Sequence, residues 1–244
     1  MFSFLKTKYY LKDILPKNYI DIHNHLLPGI DDGARTIEET SALIADMKTL
    51  NIHKSIATPH TYSSKWNNTS EIIKTAYETA VEDKANRIFI TKYASEYMLD
   101  ASLMEKIKSE RLLCIDDHFL LIEFPLFSIP FNLYEMLFEL KLRDYKIIIA
   151  HPERYLYLHD SIEKYEKLKD FGVYFQLNLL SLTGYYGKNI YRKSLELLEK
   201  NMYDFTGSDI HSSAEINQFE TKPLQVRTKS KLDQLLLNNS IFLK

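Results

Sequence analysis

The chain has 244 residues, 45% of them hydrophobic, and this length and apolar content fit one globular domain with an ample core. Its formal net charge is −2, with acidic and basic residues interspersed, which excludes a broad nucleic-acid-binding surface. The single cysteine, Cys114, excludes an intrachain disulfide, and a cytoplasmic protein is expected.

Residues 1–18 are predicted to form an N-terminal extension, and residues 19–244 the main domain. The extension is aromatic and basic, but lysines interrupt its apolar residues and a small-residue cleavage site is lacking, so it is not a signal peptide. The same pattern suits either contact with a membrane surface or a segment folded onto the domain. No later stretch reaches the roughly 18 consecutive apolar residues of a transmembrane segment, so none is predicted.

From residue 19 onwards, short β-rich runs alternate with longer segments of helical periodicity. The first strand, YIDIH at 19–23, precedes a helix over 36–50 in which Thr36 and Glu39 have the spacing of a capping box. The second strand, KSIATPH at 54–60, precedes a helix over 68–86 with Asn68 as its predicted cap. Further strands are predicted at 87–93, 119–124, 146–150, 173–178 and 203–209, and further helices at 100–110, 132–144, 160–171 and 188–201.

This alternation predicts about seven βα units and a parallel sheet covered by helices. A closed barrel and an open, doubly wound sheet are both compatible with it. No glycine-rich phosphate loop follows the first strand, and polar residues end nearly every strand, so the barrel is favoured. The predicted fold class is therefore α/β, with a single-domain barrel.

Imidazole and carboxylate side chains follow nearly every predicted strand. In a parallel barrel the carboxyl ends of all strands open onto one face, so these side chains would converge on one pocket. Five of the eight histidines belong to this set, which is too polar for a core. Its members are His23, His25, Asp32, His60, Glu96, Glu123, His151, Asp209 and His211.

Nitrogen and carboxylate oxygen ligands without thiolate suit Zn²⁺, Mn²⁺ or Fe²⁺, and a carboxylate can bridge two ions about 3.5–4 Å apart. His23 and His25 lie two residues apart on a strand, so both can face one ion. Such a cluster lowers the pKa of bound water to about 7 and supplies hydroxide as a nucleophile, so hydrolysis is the expected reaction class. His53, His118 and His159 are interpreted as ordinary surface or core residues.

The segments DIHNHLLPGIDDGA, ATPH, ASEY, LIEF, IAHPERY and GSDIH occur in this order along the chain. Together they resemble the motifs of the PHP (polymerase and histidinol phosphatase) superfamily. More narrowly, they are similar to those of the bacterial tyrosine-protein phosphatases of capsule and exopolysaccharide operons, the CpsB/CapC type. The resemblance runs from about Tyr19 to the end of the chain, and it implies a PHP-type distorted (β/α)7 barrel with two or three divalent metal ions.

The resemblance also implies how the ligands are shared among the ions. One ion would be held by His23, His25, Glu96 and Asp209. A second would share Glu96 and add Glu123 and His151. A third would take Asp32, His60 and His211. Mn²⁺ is the expected ion, with Fe²⁺, Zn²⁺, Mg²⁺ and Co²⁺ as alternatives.

Three residues are candidates for a catalytic role: Arg154, Arg35 and Asp32. Arg154 in HPERY matches the phosphate-contacting arginine of the family and would neutralise phosphoryl oxygens in the transition state. Arg35 occupies a position that is often basic in the family, although a surface charge beside a helix would look the same. The resemblance implies no covalent phosphoenzyme. Cys114 also lacks the arginine that cysteine-based phosphatases need six residues on, since Leu120 stands there.

The implied activity is hydrolysis of phosphotyrosine on a protein, the tyrosine-rich tail of a membrane-associated tyrosine kinase that controls capsule or exopolysaccharide synthesis. A PHP hydrolase of a small phosphomonoester, such as histidinol phosphate, would share the metal ligands and stays an alternative. A metal-stabilised binding protein without turnover is a second alternative, although none of the ligands or Arg154 is missing. The tyrosines of YYGKNIY at 185–191 could line the site for the substrate ring.

Overall fold

The computed structural model describes residues 7–243, as a mixed α/β fold in one domain with a half-barrel of parallel strands. The strands are β1 (Thr7–Tyr9), β2 (Ile20–Asp21), β3 (Lys54–Ala57), β4 (His60–Thr61), β5 (Ile90–Tyr93), β6 (Glu96–Met98), β7 (Phe119–Glu123), β8 (Lys146–Ala150), β9 (Tyr174–Asn178), β10 (Phe205–Gly207) and β11 (Leu224–Val226). The helices are α1 (Leu11–Ile14), α2 (Ile37–Thr49), α3 (Ser70–Ala80), α4 (Lys84–Phe89), α5 (Ala101–Ser109), α6 (Leu133–Leu142), α7 (Glu163–Asp170), α8 (Lys188–Glu199), α9 (Ser213–Thr221) and α10 (Lys229–Asn238). Short 3-10 helices lie at Pro152–Arg154, Leu156–Leu158, Leu179–Thr183 and Asn239–Phe242.

Parallel pairing arranges the central strands in two sheets. One has the order β2-β3-β5 and the other the order β10-β9-β8-β7-β6-β4. The two sheets are continuous along the chain, because residues 58–59 connect β3 to β4 and residues 94–95 connect β5 to β6. A parallel bridge between Asn24 and Ile210 joins the segments that follow β2 and β10. The carboxyl ends of the strands therefore open onto one face, and the predicted α/β class in a single domain is confirmed.

Buried polar side chains tie the first and last parallel strands together. Asn239 donates through Nδ2 to the carbonyls of Ile20 (2.9 Å) and Thr206 (2.8 Å), and its Oδ1 accepts from the Thr206 N–H (3.0 Å). Asp21 accepts hydrogen bonds from the Ser208 N–H (2.9 Å) and hydroxyl (2.6 Å). These contacts fix the backbone that carries the histidines after β2 beside the residues after β10.

Strand alternation divides the core into two hydrophobic clusters. Ile147 and Ile149 of β8 belong to the cluster that also contains buried helix residues, whereas Ile148 and Ala150 of the same strand belong to a smaller cluster with Phe242. Successive side chains of a strand point to opposite faces, which accounts for this division. This strand is therefore apolar on both faces, and the polar His151 follows at its carboxyl end.

The terminal segments of the described chain pack against each other. β1 pairs antiparallel with β11, with Lys8 opposite Gln225, and Leu11 of α1 is fully buried. Residues 7–18 of the predicted extension are thus folded onto the C-terminal part of the chain, and residues 1–6 lie outside the described residues. Among residues 7–243, no helix combines the length and the apolar character that crossing a membrane requires.

Three predicted elements differ clearly from the structure. The strand predicted at 54–60 is divided into β3 and β4, which lie in different sheets. The helix predicted at 68–86 is two helices, because Asp83 starts α4 by accepting hydrogen bonds from two backbone N–H groups of its first turn (2.7 and 3.2 Å). Since α4 extends to Phe89, the strand predicted at 87–93 begins only at Ile90. The capping side chain outweighs the apolar pattern over these residues.

The predicted cap of this helix is also wrong by one residue. Thr69 caps α3, because its hydroxyl accepts a hydrogen bond from the Ile72 N–H (3.2 Å). The side chain of Asn68 instead donates to the carbonyls of Ile30 (2.9 Å) and His60 (2.8 Å). Asn68 therefore positions the backbone of a candidate ligand rather than a helix.

We expect Asn239→Ala to lower the free energy of unfolding by about 3 kcal/mol, because three buried backbone groups lose their partner. Urea unfolding followed by circular dichroism measures this change. Asn217→Ala, on the exposed side of α9, is the matched control and should change stability by less than about 0.5 kcal/mol. Equal effects of the two substitutions would contradict the role given to Asn239.

Candidate metal centre

All nine predicted ligands lie in parallel strands or in the segments that follow them, at the face onto which the carboxyl ends open. Seven of them are almost fully buried: His23, His25, His60, Glu96, Glu123, His151 and Asp209. Asp32 is exposed and His211 is partly buried, so these two lie at the edge of the group. The structure thus brings the predicted set together in one place.

Within residues 7–243, the ligand atoms form four overlapping groups, each spanning no more than 4.8 Å. The groups are His25, Asp32, His60 and His211; His23, His25 and Asp209; His23, Glu96 and His151; and His60, Glu96 and Glu123. The first two contain the predicted third set and most of the predicted first set. The predicted second set is divided, because His60, rather than His151, groups with Glu96 and Glu123.

Glu96 lies at the centre of these groups. Its Oε2 is 2.9 Å from His60 Nδ1 and 3.2 Å from His23 Nε2, and its Oε1 is 3.0 Å from His151 Nε2. Burial alone would raise the pKa of the carboxyl group, but the charges of His23 and His60 hold this pKa well below its usual range. Glu96 is therefore a carboxylate favoured in its ionised form, with three imidazole rings around it.

Asp209 connects the histidines to Arg154. Its Oδ1 lies 3.3 Å from His23 Nε2 and 3.4 Å from His25 Nε2. Its Oδ2 accepts hydrogen bonds from Arg154 Nη1 (2.8 Å) and Asn178 Nδ2 (2.8 Å). Burial alone would raise the pKa of Asp209, yet the neighbouring histidines and Arg154 lower it well below its usual value. This carboxylate can ligate a cation with one oxygen while the other holds the guanidinium.

Backbone strain marks two of the candidate ligands. His151 has φ of 34° and Asp209 has φ of 55°, which is the left-handed region that residues other than glycine seldom adopt. Such conformations cost about 1–3 kcal/mol each and occur preferentially at functional sites. His151 directly follows the last residue of β8, and Asp209 lies two residues after the end of β10, so both strained residues lie where the chain leaves a strand at the site.

Buried side-chain nitrogen and oxygen atoms that lack a hydrogen bond indicate whether these residues fit a metal ion. The atoms without a hydrogen-bond partner include His23 Nε2, His25 Nε2, His60 Nδ1, Glu96 Oε2 and His151 Nδ1. Elsewhere in residues 7–243, only Asn24 Oδ1, Ser55 Oγ and Glu199 Oε1 share this state. A buried polar atom without a hydrogen bond costs about 1–3 kcal/mol, and the nitrogens of His23, His25 and His60 in this set lie within 3.4 Å of the Glu96 or Asp209 carboxylate. The donor set therefore fits divalent cations.

Two orienting residues are absent from the sequence prediction. Gln176 Oε1 accepts a hydrogen bond from His23 Nδ1 (2.8 Å), and Asp31 Oδ2 accepts one from His25 Nδ1 (2.8 Å). Asp31 Oδ2 also accepts from the backbone N–H of His60 (3.0 Å). These bonds turn the Nε2 atoms of His23 and His25 toward the carboxylates, as partners of metal-binding histidines do. A glutamine inside the strand VYFQLN and the doubled aspartate of PGIDDG are the signals that could have indicated them.

The candidate ligands open into a cavity of about 680 Å³. Its lining includes His60, Asp209 and Arg154 of the site, together with Trp66 and Tyr186. The Trp66 ring stacks on the His60 ring at a centroid distance of 4.7 Å, and the Tyr186 ring lies 4.6 Å from the Arg154 guanidinium carbon. Of the tyrosines at 185–191, Tyr186 is the one placed on this cavity wall.

Arg35 has a different position from Arg154. Its side chain is 81% exposed and pairs with Glu39, to which Nη2 donates a hydrogen bond (2.5 Å). It lines a separate groove that also touches Asp32 and His211. Thr36 caps α2 as predicted, but Glu39 bonds Arg35 instead of completing a capping box. A catalytic role for Arg35 therefore stays a prediction.

This chain is similar to known proteins over the range that contains the candidate ligands. A family model described as capsular polysaccharide synthesis, CpsB/CapC, matches residues 19–235. CapC of Staphylococcus aureus is 32% identical to this chain over 196 residues, which cover 79% of this chain and 77% of CapC. The tyrosine-protein phosphatase YwqE of Bacillus subtilis is 28% identical over 232 residues, which cover 91% of this chain and 89% of YwqE.

A solved structure supports the same relationship. It comes from work on YwqE from Bacillus subtilis and CpsB from Streptococcus pneumoniae, described as unique metal-dependent tyrosine phosphatases. The TM-score is 0.75 at 26% identity, over 92% of this chain and 94% of the other. The matched residues 19–235 include all nine candidate ligands and Arg154, and the resemblance seen in the sequence is confirmed. The chain therefore belongs to the CpsB/CapC family of capsular polysaccharide synthesis.

Proposed function

We propose that this chain is a metal-dependent protein-tyrosine phosphatase of capsule or exopolysaccharide synthesis. The observation that carries the proposal is the convergence of nine histidine and carboxylate ligands beside Arg154 in one open cavity. The related YwqE and CpsB proteins bear the name tyrosine-protein phosphatase, and the similar solved structure is described as metal-dependent. The substrate of this chain is therefore a phosphotyrosyl protein.

We assign two or three divalent ions to the site, with Mn²⁺ the first to test and Fe²⁺, Zn²⁺, Mg²⁺ and Co²⁺ as alternatives. His23, His25, Glu96 and Asp209 would hold one ion. Glu96, Glu123 and His151, with His60 close to the same carboxylates, would hold a second. Asp32, His60 and His211 would hold a third. Such ions activate water near neutral pH and neutralise phosphoryl oxygens.

The protein's own residues position the phosphoryl group. Arg154 is held by Asp209 through Nη1 (2.8 Å) and by the Tyr186 ring, and its guanidinium borders the cavity. The remaining N–H groups are available for phosphoryl oxygens, where charge develops in the transition state. The leaving group is a tyrosine phenol with a pKa of about 10, so its departure makes only a modest demand on proton transfer. Tyr186 and Trp66 add aromatic surface to the cavity lining, against which the phenol ring can pack.

Three finer assignments belong to the same proposal. We assign the linked strands to a distorted PHP-type (β/α)7 barrel, and the parallel bridge between Asn24 and Ile210 supports this assignment. The catalytic domain spans residues 19–244, and residues 1–18 are an extension of it. The partner is the tyrosine-rich tail of a membrane-associated tyrosine kinase, and the single cysteine suits a cytoplasmic location.

Phosphate release from a tyrosine-phosphorylated peptide tests the proposal. We expect the Mn²⁺-loaded chain to prefer this peptide to histidinol phosphate at equal concentration, and to lose activity on treatment with a chelator. His60→Ala and Asp209→Ala should abolish turnover with an unchanged circular dichroism spectrum, because each removes a ligand from the cluster. Preference for histidinol phosphate would instead indicate a small-molecule phosphatase, and no release from either substrate would indicate a binding protein.

We expect Arg154→Ala to lower kcat by about 10²–10³-fold, because it removes a donor aimed at transition-state charge. Arg143→Ala is the matched control, since Arg143 is exposed at the C-terminal end of α6, does not line the cavity and pairs with Glu139. The same assay tests Arg35→Ala, for which exposure and the pairing with Glu39 predict a fall of less than about threefold. An effect of Arg154→Ala below about threefold would remove Arg154 from the mechanism.

A further inference from the structure

The segment after β7 presents an extended group of apolar side chains to solvent. Residues 124–134, FPLFSIPFNLY, include no charged side chain. Phe127 is 98% exposed, Phe131 is 99% exposed and Ile129 is 49% exposed. Single exposed apolar residues are common, whereas a contiguous group marks a contact surface. Residues 125–131 are called the apolar rim below.

Both ends of the apolar rim are fixed by buried contacts. Phe124 is fully buried, its N–H donates to the Tyr155 hydroxyl (2.8 Å), and the two rings stack at 5.1 Å. The Pro125 carbonyl accepts a hydrogen bond from the Tyr157 hydroxyl (3.0 Å). At the other end, Leu133 is buried at the start of α6. The two prolines of the rim restrict its backbone further. The apolar side chains are thus held outward in a preorganised segment, which lowers the entropic cost of binding.

The apolar rim is continuous with the cavity of the metal site. Leu126 and Phe127 line that cavity together with Glu123 and Arg154. Ile129 and Phe131 carry the apolar surface beyond the cavity lining. A chain that places one side chain in the cavity can therefore contact this surface with its neighbouring residues.

We propose that the apolar rim binds the polypeptide segment next to the phosphotyrosine, through aromatic or aliphatic side chains of that segment. This inference rests on the proposed phosphatase function and specifies its substrate. An extended chain advances about 3.3 Å per residue, so positions a few residues from the phosphotyrosine reach Ile129 and Phe131. The contact lies away from the reacting phosphorus and favours ground state and transition state alike, so it lowers KM rather than raising kcat.

The test uses the full chain loaded with Mn²⁺ and three substrates. Two are phosphotyrosyl peptides of equal length and net charge, one with phenylalanine and one with serine at the flanking positions. The third is p-nitrophenyl phosphate, which is too short to reach the rim. The variant is Ile129→Ser with Phe131→Ser, and the matched control is Ile88→Ser. Ile88 is 62% exposed on α4, which leads into the amino end of β5, opposite the site.

We expect the wild-type chain and the Ile88→Ser control to favour the phenylalanine-flanked peptide by about tenfold in kcat/KM, which corresponds to partial burial of two apolar side chains. The double variant should reduce this preference below about threefold through KM. Hydrolysis of p-nitrophenyl phosphate should be the same in all three proteins. This pattern separates docking on the rim from any effect on the chemistry or on folding.

Two results would overturn the proposal. One is the absence of a peptide preference in the wild-type chain, and the other is a preference that survives in the double variant. If the double variant keeps the preference but loses the binding to phosphatidylglycerol vesicles that the wild-type chain shows, the rim is assigned to a membrane. If it keeps the preference but loses self-association in light scattering, the rim is assigned to a second copy. Absence of phosphate release from all three substrates contradicts the phosphatase function itself, and this outcome is distinguishable from each of the others.

Discussion

The site depends on one buried carboxylate, Glu96, that lies among imidazole rings. Its oxygens are within 3.2 Å of nitrogen atoms of His23, His60 and His151, and its side chain is fully buried. Burying this many polar groups without full pairing is costly, and cations that accept lone pairs from both residue types offset that cost. The cluster is therefore organised for metal ions first, and the electrostatics of phosphoryl transfer follow from that organisation.

The fold supplies this cluster by bringing distant segments to one edge. Asn239 and Asp21 bind the first parallel strand to the last, which places His23 and His25 beside Asp209. Gln176 then orients one imidazole and Asp31 the other. A residue in the C-terminal 3-10 helix thus supports ligands near the start of the chain. Stability and ligand geometry share the same buried polar contacts.

The ligand types and their positions at strand ends could be predicted from the sequence, because apolar strands leave their polar residues at the ends. The break between α3 and α4 could not be predicted from the sequence, because the capping side chain of Asp83 overrides an apolar pattern that continues through it. The roles of Gln176 and Asp31 could not be predicted from the sequence either. Gln176 acts on His23, which is distant in sequence, and Asp31 belongs to the DDG segment, which is typical of a turn. The exposure of the apolar rim could not be predicted either, because an apolar run is compatible with burial, and its orientation depends on the buried anchors Phe124 and Leu133.

Anomalous diffraction at the manganese edge, from crystals of the full chain grown with Mn²⁺ and inorganic phosphate, tests the central claim most directly. We expect two or three anomalous peaks within coordination distance of Glu96 and the histidines around it, with phosphate oxygens in contact with Arg154. Crystals saturated with Mn²⁺ that show no anomalous peak among these residues would contradict it.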